Sequence, residues 1–107
     1  MKAITEAEFR TEVLLSPVTA IVMFGSESCH PCKQIKPLVE KFSVQNDGRV
    51  RVFYMDVDYS PKVANTYRVR AIPTLIAFSG LNVLCAHVGT HRSSLFDFLS
   101  GYGAVTP

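Results

Sequence analysis

The run Thr19-Ala20-Ile21-Val22-Met23-Phe24 constrains this chain more than any other stretch, because it is rich in β-branched residues and almost uniformly apolar. A strand with one wet face alternates apolar and polar side chains. This run has no polar side, so it reads as a strand covered on both faces, as happens where helices flank a sheet. In 107 residues, 48% hydrophobic and 19% charged, there is room for one domain, residues 1–107, with one modest core. The longest apolar run falls well short of the roughly 20 residues a membrane helix needs. Met1-Lys2-Ala3 leads into polar, acidic sequence rather than a signal-peptide core.

A turn, Gly25-Ser26-Glu27-Ser28, then delivers the chain to Cys29-His30-Pro31-Cys32, which opens a segment with Ile35, Leu38, Val39 and Phe42 at helical spacing. Two thiols one helical turn apart lie on the same side of that turn, near enough to close a small disulfide ring with little backbone movement. The first turn also offers unpaired N–H groups and the positive end of the helix dipole, which favour a thiolate at Cys29. A protonated His30 adds positive charge beside it. Both effects push a thiol below its free pKa of about 8.5. Pro31, fixed in φ and with no N–H to lose, stiffens the link between the sulfurs. The chemistry expected of the pair is dithiol-disulfide exchange, in which Cys29 attacks and Cys32 resolves the mixed disulfide.

Around this motif the chain reads in order. Lys2 to Ile4 is a short edge strand, and Thr5 with Glu8 has the spacing of a capping box for a helix from Glu6 to about Leu15, ended by Ser16-Pro17. Pro37 should kink the second helix, which stops at Asn46-Asp47-Gly48. Val50 to Val57 suggests a mostly buried strand, followed by Ser60 as N-cap and Pro61 as first residue of a short helix bearing Val63, Ala64 and Tyr67. Thr74 to Phe78 is a strand that turns at Ser79-Gly80 into a hairpin partner, Asn82 to Val88, with Gly89 ending or bending it. The last helix begins between Thr90 and Ser93, presents Leu95, Phe96 and Leu99 to the core, and stops at Gly101-Tyr102-Gly103, leaving a loose tail. The order β-α-β-α-β-α-β-β-α predicts one mixed sheet with helices on both faces.

A formal charge of +2 with scattered basic residues gives no footprint for direct nucleic-acid binding. With no membrane-length apolar run and no signal-peptide core a cytoplasmic location is expected; three cysteines are too few, and odd in number, for a secreted disulfide framework, and in a reducing compartment a Cys-x-x-Cys is more often catalytic or metal-binding than structural. A closed zinc site wants four ligands, and the further candidates Cys85, His87 and His91 lie on or after a hairpin strand, so a redox pair is the favoured reading and no metal is expected. Cys85 is expected to be a small buried residue, His87 and His91 surface polar positions, and Met23 core filler. Tyr54, Tyr59 and Tyr67 are expected to pack in the core or on the surface rather than stack bases.

A strand, a Cys-x-x-Cys at a helix start, a proline inside that helix, then Ile72-Pro73-Thr74 ahead of a strand hairpin and a terminal helix: along essentially the whole chain this resembles the thioredoxin family, with which such a motif in a βαβ setting is already associated. The resemblance implies an α/β thioredoxin fold, a central mixed β-sheet flanked by helices on both faces. It also implies a monomeric protein-disulfide reductase without cofactor, acting on disulfide-containing protein substrates and recycled by a reductase such as thioredoxin reductase. It implies a cis Pro73 facing the cysteine pair, backbone around Ile72 to Thr74 that pairs antiparallel with the substrate chain, and a contact surface of His30, Pro31, Ile72, Val88 and Gly89. The helix proline of the family maps onto Pro37.

Three positions depart from the family pattern. Ser28 stands where the family has Trp, Met23 where a buried Asp accepts the proton of the second thiol, and Tyr54 where a Lys partners that Asp. Without the carboxylate, Cys32 must lose its proton through water, through His30, or not at all, and slow resolution is expected. His30, where common members have Gly, favours the reduced thiolate and so a more oxidising disulfide; protein disulfide isomerases carry a His one position later. Two other functions stay open on these grounds. One is a binding subunit of a larger assembly using the Val88-Gly89 and Ile72-Pro73 rim, the other a disulfide oxidase or isomerase.

Overall fold

The apolar run becomes the middle of the sheet: β2 (Ala20–Gly25) is buried at every position in the computed structural model, which describes residues 1–106. With β1 (Lys2–Ala3), β3 (Arg51–Asp56), β4 (Thr74–Ser79) and β5 (Asn82–Val88) it forms one sheet in the order β1-β3-β2-β4-β5. β1, β3 and β2 run parallel, while β4 is antiparallel to β2 and β5 antiparallel to β4. The two-residue period of β2 then divides the core. Ile21 and Met23 join Cys32, Ile35, Val39 and Phe42 of α2 (His30–Gln45) and Leu95, Phe98 and Leu99 of α4 (Arg92–Ser100). Ala20, Val22 and Phe24 point the other way, to Phe9 of α1 (Glu6–Phe9) and the partly buried Val63 of α3 (Pro61–Thr66). Helices therefore cover both faces, and the α/β architecture is the expected one.

Several local expectations need correcting. The first helix is not α-helical to Leu15: after α1 the backbone widens into a π-helical turn, Arg10–Leu14, in which the Leu15 N–H reaches Arg10 O at 2.9 Å. That turn leaves both Phe9 and Val13 in the core. β3 is one residue shorter at each end than Val50 to Val57, because the Val50 N–H bonds Asn46 O and the Val57 N–H bonds Gly25 O outside the strand register. Ser60 is buried and makes no side-chain cap. The first N–H groups of α3 are satisfied instead by Glu6 of α1, whose Oε1 accepts from Lys62 N at 2.6 Å and Val63 N at 3.2 Å. In α4 the core residues are Leu95, Phe98 and Leu99, at spacings of three and four, while Phe96 is turned about 100° away and only half-buried.

The tail is tied down as far as residue 106. Buried Asn46 donates from Nδ2 to Phe42 O at 2.9 Å and to Ala104 O at 2.8 Å, and its Oδ1 accepts from Ala104 N at 2.8 Å. β5 is an edge strand, exposed from Asn82 to Ala86, so Cys85 is exposed rather than buried. His87 is the converse: it is buried, with Nε2 3.0 Å from Ser94 Oγ and Nδ1 unpartnered. α2 continues through Pro37, which lies on its exposed side. No helix among the described residues is long and apolar enough to cross a membrane.

Candidate active site

Cys29 is the residue before the first turn of α2, in extended backbone, and Pro31 occupies the first turn. The Cys32 N–H, one of the groups a helix start leaves without an intrahelical partner, donates to Cys29 Sγ at 3.2 Å. The two sulfurs are joined as a disulfide, with Cα atoms 5.3 Å apart. Their surroundings differ sharply. Cys29 is half-exposed, whereas Cys32 is 2% exposed and packs in the core with Met23 and Ile35.

The second half of the site comes from the far side of the sequence. Ile72-Pro73 is a cis peptide, and Ile72 O lies 3.9 Å from Cys29 Sγ. Pro73 O accepts from Gly89 N at 2.9 Å, and Thr74 sits in register with Val88. Gly89 has φ +98°, a left-handed conformation that suits glycine, and β5 ends just before it at Val88. Around the half-exposed sulfur, His30, Pro31 and Val88 are exposed and Ile72 and Gly89 half-buried. Thr74 is different. Its side chain is buried and its hydroxyl donates to Ala71 O at 2.6 Å, so it shapes the loop rather than lining the open surface. Among the described residues no three His, Cys, Asp or Glu side chains gather as a metal-binding group.

Behind Cys32 lies a feature that reading the sequence missed. A cleft of about 800 Å³ reaches the buried cysteine between β1, β3 and α2, and its walls include Ile4, Ser26, Lys36, Tyr54, Asp56 and Tyr59. Lys36 Nζ stands 4.3 Å from the centroid of the Tyr54 ring, a cation–π contact. Burial, followed by the charges of Asp56, Glu27 and Asp58, raises the Tyr54 phenol above its ordinary value, so the hydroxyl is neutral at physiological pH. The signal for this cleft was the register of Tyr54 with Met23, which puts both on the Cys32 side of the sheet, but register is a product of pairing and not of local sequence.

A sheet between two helical layers, with a disulfide-forming pair at a helix start beside a cis-proline loop, defines a thiol-disulfide oxidoreductase of α/β architecture. The family model described as Thioredoxin matches residues 1–100. The chain is 32% identical over 98 residues to a thioredoxin of Rickettsia felis, covering 91% of this chain and 93% of that protein. To thioredoxin 1 of a Nostoc species it is 38% identical over 77 residues, 72% of each chain. The chain belongs to the thioredoxin family, and its activity is the reduction of protein disulfides.

Proposed function

We propose that Cys29 is the nucleophile and Cys32 the resolving thiol of this reductase. In the reduced protein the Cys29 thiolate attacks a substrate disulfide, forming a mixed disulfide and releasing one substrate thiolate. Cys32, once deprotonated, attacks Cys29 Sγ. The Cys29–Cys32 bond forms, the bond to substrate breaks, and the second substrate thiolate leaves and takes a proton from solvent. The substrate gains two electrons and the dithiol loses two. The observation that carries this assignment is the Cys32 N–H directed at Cys29 Sγ at 3.2 Å, together with the contrast between a half-exposed and a buried sulfur. The same N–H, and the helix dipole behind it, stabilises negative charge on Cys29.

The substrate chain lies across His30, Pro31, Ile72, Val88 and Gly89, with the Ile72 to Thr74 backbone pairing antiparallel to it, and Pro73 holding that segment against Cys29. A reductase such as thioredoxin reductase returns the disulfide to the dithiol. The protein works as a single-domain monomer in the cytoplasm, a location supported by its odd, small number of cysteines. Insulin reduction by dithiothreitol tests the assignment. Cys29→Ser should abolish catalysed turnover, and Cys32→Ser should stall at a mixed disulfide. Turnover that survives in Cys29→Ser overturns it.

A further inference from the structure

Cys32 has to ionise inside the core before it can attack, and burial in an apolar setting opposes that ionisation. On its core side it belongs to an apolar cluster that includes Met23, whose thioether offers no donor to a thiolate. Its other side forms part of the cleft wall. His30 is exposed and not among the residues lining that cleft. A Cβ placed on Gly25 would lie 3.0 Å from Tyr54 Oη and 3.2 Å from Cys32 Sγ, so glycine is what leaves the two groups facing each other. Their separation is therefore at most about 6 Å, within the reach of one bridging water in a cleft open to solvent.

We infer that Tyr54, held beneath the Lys36 ammonium, is the positioning residue that stabilises the Cys32 thiolate through cleft water during the second half of the exchange. The proton of Cys32 passes to cleft water and on to solvent, and the Tyr54 O–H, donating through the bridging water, holds the charge left on sulfur. Lys36 over the ring face draws electron density from it and adds positive potential at the same place. Lys33 contributes further positive charge, whereas Glu27, Asp56 and Asp58 oppose a thiolate; burial first and these charges second keep the phenol protonated, hence a donor. Tyr59 is the remaining titratable group in the cleft wall and is mostly exposed.

This rests on the proposed roles of Cys29 and Cys32, and stopped-flow reaction of the reduced protein with dithionitrobenzoate between pH 5 and 9 separates the two. The first thionitrobenzoate released reports attack by Cys29, the second reports resolution by Cys32. In Tyr54→Phe, which keeps the ring, the first phase should be unchanged, and the second should slow about tenfold at pH 7 with its pH midpoint raised by about one unit. Lys36→Met, at an exposed position, should move the second midpoint the same way by less. A second phase with wild-type rate and midpoint in Tyr54→Phe overturns the inference. So does a shift seen in Asp56→Asn but not in Tyr54→Phe, which would make the carboxylate the proton acceptor. If the wild type lacks the two-phase release altogether, the assignment of the cysteine roles falls instead, and this inference with it.

Discussion

Cys29 sits where a Ser or Asp oxygen usually caps a helix, and its sulfur takes the N–H such an oxygen would take. A side chain in that position is held at the positive end of α2, so the proposed transfer of Cys29 between Cys32 and a substrate sulfur needs little rearrangement of the motif. His30 beside it is exposed, and in the exchange proposed above it acts on the thiolate by charge alone. Replacing it by glycine should make the pair a stronger reductant, lowering its potential by about 30 mV, or roughly 1.4 kcal/mol for two electrons. Equilibration with glutathione measures this, and an unchanged potential contradicts it. His87 gives a second residue-scale expectation. Burial, with the charge of His91 a smaller cause, lowers its pKa from the ordinary 6.5. As pH falls through 6.5 the unfolded chain binds the proton first, so His87 subtracts stability below that pH and has no effect above it. The loss levels off once the folded-state pKa is passed. Urea unfolding of His87→Phe between pH 7 and 5 should show a smaller loss than wild type.

At the scale of elements, the short α3 depends on another helix. Six residues cannot hold their own first turn strongly, and Glu6 supplies the acceptors that Ser60 was expected to provide. Glu6→Ala should cost about 1 kcal/mol and expose the amides of Lys62 and Val63 to rapid hydrogen exchange, with β2 protected as before. The same covering helix packs Phe9 edge-on to Phe78 and against Tyr67, at centroid distances of 5.7 and 5.6 Å, so α1, α3 and β4 share one aromatic joint. The π-helical turn that follows α1 keeps Phe9 and Val13 on that joint's side of the sheet.

For the whole molecule, two half-cores meet back to back on β2, and the segment from Tyr102 to Val105 closes over one of them. Tyr102 and Val105 pack on the half that holds Cys32, under the clamp of Asn46 on Ala104. Gly103 has to be glycine here, because a Cβ would overlap Asn46 Oδ1. Asn46→Ala, which takes the side-chain partner from Ala104 N and Ala104 O while Phe42 O keeps the Asn46 N–H, should cost about 2 to 3 kcal/mol in urea unfolding, and Gly103→Ala should destabilise by a similar amount. Both should slow insulin reduction little at temperatures where the variants stay folded, since Cys29 and the Pro73 loop are built from other contacts.

The sequence by itself determined what depends on neighbours along the chain. A strand apolar on both sides needs helices on both sides, a Cys-x-x-Cys after a turn starts a helix with one sulfur at its positive end, and Ile72-Pro73-Thr74 precedes a hairpin. Tertiary structure decided what depends on which strands pair. The edge position of β5 exposed Cys85, the register of β3 on β2 set Tyr54 beside Cys32, and the approach of distant segments gave α3 its cap from Glu6 and the tail its clamp at Asn46. Those contacts join residues far apart in the chain, and no local period of side chains encodes them.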